Sequence, residues 1–453
     1  MQNKFDMDTL IQDLKGVPGL EVIESISERK RFSRDFYDYS PILTEILSSC
    51  CADIVVRPFS IEAVICVVSV CKSRMVPLTI RGSGTGNYGQ CVPLANGVVM
   101  LMSGLNKIRE FDKLTGEVTV ESGCLIRDVN DYLITNGRQL RLTPSTWRSS
   151  SIAGFISGGS GGIGSVRWGF LRDPGHLLGL EVVSADNSQG VLQLDAQSSE
   201  GLNHAYGTNG VITALKLSTT SFVNWQEVVI DCSSWPRALE VFRACSIAAI
   251  DIYLLTLLED KIVESLPKWF GLEKCNHRIL VLVAPDGLST IERIASSFEA
   301  ECNLLGSENL KSGTVLRELA WNHTTLHMRS VDSSWTYLQM LLPQPEMTLM
   351  NLIKEKWKDD VLWHLEGVRQ QGVQRIAALP VVRWRGKEKL EELMQDCSHN
   401  GALIFNPHVI TVEDGGLGVV DSDQVEAKKR FDPKGILNPG KLKGWSRYER
   451  FLN

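Results

Sequence analysis

The chain has 453 residues, of which 43% are hydrophobic and 22% charged, and its formal net charge is −6. This length suffices for about two or three domains with a substantial core, and the mild acidity argues against a general nucleic-acid-binding protein. No apolar run reaches the ~18 residues of a membrane span. The start of the chain lacks the pattern of a secretory signal, and the 11 scattered cysteines favour a reduced, cytoplasmic protein over a disulfide or zinc framework.

The first quarter of the chain predicts a helical lead-in followed by alternating strands and helices. Residues 1–44 carry the lead-in, and 53–58 predict a strand. Ser60 is a suitable N-cap for a helix over 61–74, after which 77–80 return as a strand. Further along, 108–122 predict a hairpin and 125–133 have helical spacing.

A glycine-rich run follows the strand at 77–80. Residues 82–89 contain four glycines, a serine and a threonine. Closely spaced glycines let backbone N–H groups converge on an anion, as a pyrophosphate site requires. The next predicted element is a strand at 97–102, whereas a dinucleotide fingerprint or phosphate loop opens a helix. The amides of this loop are therefore expected to hold phosphates without a helix dipole.

A second glycine-rich stretch covers residues 143–165, with six glycines and seven serines. This composition is typical of a flexible linker, but the interleaved Ile152, Phe155, Ile156 and Ile163 favour an ordered segment. Strands are predicted at 179–186 and 211–217. Beyond residue 222 tryptophans become frequent, and a strand at 278–284 precedes a helix over 288–300. This change predicts a lead-in at 1–44, a first domain at 45–222, a second at 223–400 and a returning tail at 401–453.

Three segments in this order resemble one family. They are residues 80–86, the run Ser-Ile-Ala-Gly at 151–154 with the later glycines up to 169, and Phe-Asp-Pro-Lys-Gly-Ile-Leu-Asn-Pro-Gly-Lys-Leu at 431–442. Together they resemble FAD-linked oxidases of the vanillyl-alcohol oxidase / p-cresol methylhydroxylase (PCMH) type, nearest the glycolate oxidase large subunit and D-lactate dehydrogenases. The resemblance implies an α+β fold: a two-part PCMH-type FAD-binding domain, an α+β cap that binds substrate, and a tail that returns to the flavin.

The resemblance also implies which residues bind the flavin. The first loop would hold the pyrophosphate, the second stretch would follow the ribityl chain and adenosine, and the tail would reach the flavin ring. The implied residues are Gly82, Ser83, Gly84, Thr85, Gly86, Asn87, Pro144, Ser145, Ser151, Gly154, Gly161, Ile212 and Asn438. Thr85 stands where relatives with a histidine-linked flavin carry that histidine, so we expect non-covalent FAD.

The implied activity is FAD-dependent oxidation of a small alcohol or 2-hydroxy acid, glycolate- or D-lactate-like, by hydride transfer to the flavin. Oxygen, a quinone or a redox protein would then accept the electrons. We expect no metal, because no glutamate precedes His408 and the cap lacks the family's metal motif. The arginine of the family's Trp-x-x-Arg motif is also missing after Trp321. The alternative is a non-catalytic FAD-binding subunit of a multi-subunit oxidase complex, and either a homo- or a hetero-oligomer is compatible with the sequence.

Oxidation of a 2-hydroxy acid needs a base near the hydroxyl and an arginine that binds the carboxylate. His323, which lies four residues before His327, and His408 are candidates for the base; Tyr337 is a further polar candidate, and Arg383 a candidate clamp. Each has an alternative structural interpretation: a polar helix face for His323, packing for Tyr337, a solvated strand face for Arg383 and a structural histidine at 408.

Overall fold

The computed structural model describes residues 6–159, 161–186, 190–267, 276–310 and 315–445. Residues 1–5 and 446–453, at the ends of the predicted lead-in and tail, lie outside the described residues. The α-helices are Met7–Lys15, Ile26–Phe32, Pro41–Leu47, Ile61–Arg74, Ile126–Thr135, Ile152–Gly158, Ser165–Trp168, Ala196–Ser199, Trp235–Ile247, Asp260–Val263, Leu288–Ser297, Asn322–Val331, Glu346–Trp357, Lys387–His399, Val412–Gly415 and Ser422–Phe431. Among the described residues, no helix combines the length and apolarity needed to cross a bilayer.

The first sheet carries the first glycine loop. Its strands, in spatial order, are Leu20–Ile23, Ile54–Pro58, Val98–Leu101 and Leu78–Arg81, and only the first pair is antiparallel. The helix Ile61–Arg74 starts where the Ser60 hydroxyl accepts the Ala63 N–H, and it packs its valine-rich face on this sheet. The predicted strands and helix here are confirmed, and the loop does join two strands. The lead-in contains helices, as predicted, but also a strand that was not predicted: Leu20–Ile23 pairs with Ile54–Pro58 at the edge of the sheet and buries Ile23.

The second sheet is antiparallel and stands beside the first. Its strands are Ile108–Phe111, Glu117–Glu121, Val211–Ser221, Leu177–Val183 and Val191–Asp195 in spatial order, and Arg138–Leu140 also pairs with Val211–Ser221. The short helix Ile152–Gly158 packs Ile152, Phe155 and Ile156 into the core beneath this sheet. The described part of the second glycine stretch, 143–159 and 161–165, is therefore ordered by its apolar residues, as predicted.

A larger antiparallel sheet forms the core of the predicted cap. Its strands are Glu301–Ser307, Gln226–Cys232, His277–Val283, Ile252–Leu258, His364–Gln370, Val373–Ala378, Met340–Leu341 and Leu403–Ile404 in spatial order. A smaller sheet of Trp335–Tyr337, Val381–Arg383 and Val361–Leu362 lies next to it. Helices such as Trp235–Ile247 and Leu288–Ser297 pack on the large sheet around Phe242 and Ile291. The division at residue 222 stays a prediction.

The tail returns to the first sheet. Leu437 forms a parallel bridge with Leu78, so the tail lies along the strand that feeds the glycine loop. The ammonium of Lys428 is buried and donates to the carbonyls of Thr208 and Leu437 and to Asp432, at 2.7–2.9 Å. Since a buried charge needs such partners, this contact fixes the tail against the segment that precedes Val211–Ser221.

Candidate functional site

A cleft opens where the two glycine-rich segments face each other. One wall is the loop after Leu78–Arg81, a second is the helix Ile152–Gly158, and a third is the segment that leads into Val211–Ser221. Glycines line all three walls, so main-chain atoms border much of the space. Such a surface presents peptide N–H groups to a bound molecule at close range.

The two glycine stretches are joined by side chains of the second. The Ser83 N–H donates to the Ser151 hydroxyl at 3.2 Å, and the hydroxyls of Thr85 and Ser150 lie 2.8 Å apart. A Cβ atom at Gly82 would overlap the Ser151 hydroxyl, so glycine is required for this close approach. The contact fixes the first loop against the start of the helix Ile152–Gly158.

The third wall is held by the tail. Asn438 is buried, and its amide donates to the carbonyls of Gln90 and Tyr206, at 2.8 and 2.6 Å. Gln90 and Tyr206 both line the cleft. Asn438 therefore bridges two walls, although it does not itself line the cleft and borders a second, smaller cavity.

The residues present fit FAD. The buried hydroxyl of Ser122, a residue that lines the cleft, has no hydrogen-bond partner in the described part of the chain. Buried polar atoms are normally paired, so this hydroxyl is available to a ligand. Together with the glycine-lined walls it offers polar contacts to an elongated, partly anionic cofactor.

Most of the predicted FAD contacts meet at this cleft. Those that line it are Gly82, Ser83, Gly84, Thr85, Gly86, Ser151, Gly154 and Ile212. Those that do not are Asn87, Pro144, Ser145, Gly161 and Asn438. Their assignment to FAD stays a prediction for all of them.

Sequence reasoning missed several residues that line the cleft, among them Gln90, Cys91, Met102, Ser122 and Tyr206. Gln90 and Cys91 directly follow the first glycine run, and Tyr206 directly precedes Gly207, so adjacency to these glycines was an available signal. Met102 and Ser122 lie just past the ends of strands, and only the packing of the two sheets brings them to the cleft.

Two candidate catalytic residues lie together beside the first loop. The amide of Asn87 donates to the Tyr337 phenol at 2.8 Å. His408 contacts the Tyr337 carbonyl through Nε2 at 2.9 Å and the Ser40 hydroxyl through Nδ1 at 2.7 Å. Because a carbonyl only accepts, Nε2 carries the proton and Nδ1 accepts from Ser40. Burial lowers the pKa of His408 to about 4 and raises that of Tyr337 well above its usual value, so both side chains are neutral near pH 7.

The helix Asn322–Val331 confirms the helical spacing of His323 and His327. The Nδ1 atom of His323 is buried and has no partner among the described residues, while His327 Nε2 lies 3.4 Å from the Glu318 carbonyl. Burial lowers the pKa of His323 to about 4. The described residues contain no group of three or more His, Cys, Asp and Glu side chains placed to hold a metal ion.

Arg383 is engaged within the cap. Its guanidinium contacts Asp332 at 2.7 Å and Ser334 at 2.9 Å, and it stacks over the Trp335 ring. The strand ends at Arg383, so Arg385 lies beyond it, and both arginines also pair with Asp360. A substrate carboxylate would have to compete with these acidic partners.

A buried pair in the cap was not foreseen. His364 and Glu366 are 2.7 Å apart, and the same carboxylate accepts the Trp321 N–H at 2.7 Å and the Thr256 hydroxyl at 2.6 Å. Alternate residues on one strand share a face, but the burial of both side chains follows from the sheet order, which the local pattern does not contain.

Comparison with known proteins identifies the class of the cofactor-binding domain. A family model described as "FAD binding domain" matches residues 52–189. The chain contains a PCMH-type FAD-binding domain, its cofactor is FAD, and the α+β fold predicted from the glycine motifs is confirmed. In structure, the chain is similar to alkyldihydroxyacetonephosphate synthase, with a TM-score of 0.70 and 15% identity over 96% of this chain and 86% of that chain.

Relatives in sequence include proteins named as D-2-hydroxyglutarate dehydrogenases and as a glycolate oxidase subunit. The chain is 24% identical to the glycolate oxidase subunit GlcD of Bacillus subtilis over 437 residues, which is 86% of this chain and 88% of that protein. It is 27% identical to the mitochondrial D-2-hydroxyglutarate dehydrogenase of Danio rerio over 285 residues, 59% of this chain. The match spans 52% of the Danio rerio protein, about half its length.

Proposed function

We propose that the protein is an FAD-dependent oxidoreductase that oxidises the CH–OH group of a small alcohol or a 2-hydroxy acid such as glycolate or D-lactate. The observation that carries the proposal is the glycine-lined cleft with the unpaired buried Ser122 hydroxyl, next to a first loop whose Asn87 donates to Tyr337 of the cap. Relatives named for glycolate and D-2-hydroxyglutarate support the substrate class. When bound in the cleft, FAD supplies the hydride acceptor.

His323 is our candidate for the base. Of the two candidate histidines it is the one with a ring nitrogen lacking a partner among the described residues. Its lowered pKa keeps the imidazole neutral near pH 7, and in the tautomer that is protonated at Nε2 the lone pair of Nδ1 can accept the hydroxyl proton. His327, four residues later on the same helix, serves as a matched control.

Tyr337, His408 and Arg383 have supporting roles in this proposal. The Tyr337 phenol stays protonated and can donate a hydrogen bond to a substrate oxygen, while His408 holds its main chain in place. To neutralise a substrate carboxylate, Arg383 would leave its ion pair with Asp332 and pair with the substrate instead. A neutral alcohol would leave that ion pair intact.

The second candidate function is a non-catalytic FAD-binding subunit. It is favoured by the engagement of Arg383 with Asp332 and of both His408 ring nitrogens with protein atoms. The name of the Bacillus subtilis relative as an oxidase subunit is compatible with it. In this case FAD would bind, but no small substrate would reduce it.

The test is anaerobic reduction of the holoprotein by a panel of alcohols and 2-hydroxy acids. Achiral glycolate is included, D-lactate and D-2-hydroxyglutarate are compared with their L-enantiomers, and bleaching of the flavin absorbance is recorded. We expect one 2-hydroxy acid to bleach the flavin, His323→Asn to slow this strongly, and His327→Asn to change it little. No bleaching by any compound, with FAD fully bound, would support the second candidate and contradict the first.

Electron acceptor, assembly and location are part of the same proposal. We infer a cytoplasmic protein that passes electrons to oxygen, a quinone or a redox protein, as a homo- or hetero-oligomer. Several named relatives are mitochondrial, so cell fractionation is the direct check of location. Reoxidation rates with oxygen and with a soluble quinone distinguish the acceptors.

A further inference from the structure

A buried charge cluster lies where the lead-in, the first glycine loop and the tail meet. It consists of Asp35, Arg81 and Lys441, whose exposed fractions are 9%, 7% and 0%. Charged side chains are almost never this buried unless they are paired or serve a ligand. Neither the FAD assignments above nor the proposed oxidation uses any of the three.

The two cations contact the glycine loop from behind. The guanidinium of Arg81 occupies the space into which a Cβ of Gly84 would project, and Gly84 has a positive φ of 72° that favours glycine. The Arg81 Nη1 also donates to the Arg34 carbonyl at 2.6 Å and contacts the Cys91 sulfur at 3.1 Å. The Lys441 ammonium donates to the carbonyl of Gly89, at the far end of the same loop.

The cluster has an excess of positive charge. In the described part of the chain, neither cation forms a direct ion pair with a carboxylate, and Asp35 acts on both from a distance. One Asp35 oxygen accepts the Tyr37 N–H at 3.0 Å, and the other has no partner among the described residues. Burial raises the pKa of the nearby Cys50 and Cys91 thiols, so they add no negative charge near pH 7.

We propose that Arg81 and Lys441 form a buried cationic seat that stabilises the pyrophosphate of FAD through the glycine loop, with Asp35 as a partial counter-charge. Anions bound at the start of a helix gain from the helix dipole, and this loop joins two strands instead. The seat supplies positive potential from behind the amides, in a buried setting where charge acts strongly. Both residues act through the loop and are positioning residues.

The competing explanation is that the two side chains only tie backbone carbonyls together. Substitution by glutamine distinguishes this explanation from the proposal, because Arg81→Gln and Lys441→Gln each keep an N–H donor and remove the charge. Apoprotein of each variant is titrated with FAD and with riboflavin, which lacks phosphate, by fluorescence quenching. We expect FAD affinity to fall about ten- to hundredfold in each variant, as for lost charge-assisted contacts, with riboflavin affinity within about twofold of the wild type.

Asp35→Asn provides a test of opposite sign, because it removes the counter-charge and keeps a hydrogen-bond acceptor for the Tyr37 N–H. It should bind FAD at least as tightly as the wild type. Equal losses of FAD and riboflavin affinity in the glutamine variants, unchanged FAD affinity, or weaker FAD binding by Asp35→Asn would overturn the proposal. The inference rests on the FAD site and not on the oxidation, since both titrations are made without substrate.

Discussion

Replacing Gly82 by alanine should weaken FAD binding through one defined contact. The new methyl group would overlap the Ser151 hydroxyl, which accepts the Ser83 N–H at 3.2 Å. Overpacking of this kind costs about 1–3 kcal/mol. In the protein without FAD the loop can relax away from this overlap. FAD binding requires the first loop and the second glycine stretch to approach closely, so the overlap should weaken FAD binding about five- to hundredfold.

The double variant Gly82→Ala/Ser151→Ala isolates this contact. Ser151→Ala alone leaves the Ser83 N–H without its acceptor, a loss of about 1 kcal/mol or fivefold in affinity. Without the hydroxyl, the nearest neighbours of a Cβ added at Gly82 are the Gly154 Cα and Ser151 Cβ, both at 3.4 Å, which is ordinary contact. FAD titration should therefore show the double variant binding like Ser151→Ala. This account of the loop would be refuted if the double variant lost FAD affinity by the product of the two single-variant losses, or if Gly82→Ala kept full FAD affinity.

Three further outcomes are expected. Chelator treatment should leave flavin reduction by substrate unchanged, and a loss restored by one added metal ion would contradict the expectation of a metal-free site. Lys428→Met leaves the buried Asp432 carboxylate without its ion-pair partner. Urea unfolding should therefore show a free energy of unfolding that is lower by about 3–5 kcal/mol, and the decrease should be smaller in Lys428→Met/Asp432→Asn. Because burial lowers the pKa of His408 from 6.5 to about 4, the unfolded chain binds its proton first. As the pH falls from 6.5 to about 4, this group should therefore lower the free energy of unfolding by up to about 1.4 kcal/mol per pH unit. In His408→Gln the free energy of unfolding should depend less steeply on pH in this range.

The local elements of the FAD-binding part were predictable because they depend on short-range patterns. The Ser60 cap and the apolar face of the next helix gave the bounds Ile61–Arg74, and Gly116 with its positive φ marks the turn of the hairpin. The strand Leu20–Ile23 was missed because four residues with one buried side chain carry little alternation. Its pairing with Ile54–Pro58 is a long-range contact.

The cofactor site was more predictable than the catalytic one. Glycine runs mark main-chain surfaces directly, and Gly82, Gly84 and Ser151, which the family resemblance assigns to FAD, line the cleft. The partners of His408 and Arg383 are set by tertiary packing: Ser40 lies in the lead-in, far from the tail in sequence. The cluster of Asp35, Arg81 and Lys441 likewise joins three distant segments, and no local spacing connects them.

The most direct test of the central claim is one anaerobic titration of purified protein whose FAD content has been measured after denaturation. We predict one non-covalent FAD per chain, released intact, whose visible absorbance is bleached stoichiometrically by a small alcohol or by a small 2-hydroxy acid, and by only one enantiomer where that acid is chiral. A protein that neither contains nor takes up FAD would contradict the assigned cofactor. Bound FAD that no such compound reduces would contradict the proposed oxidation.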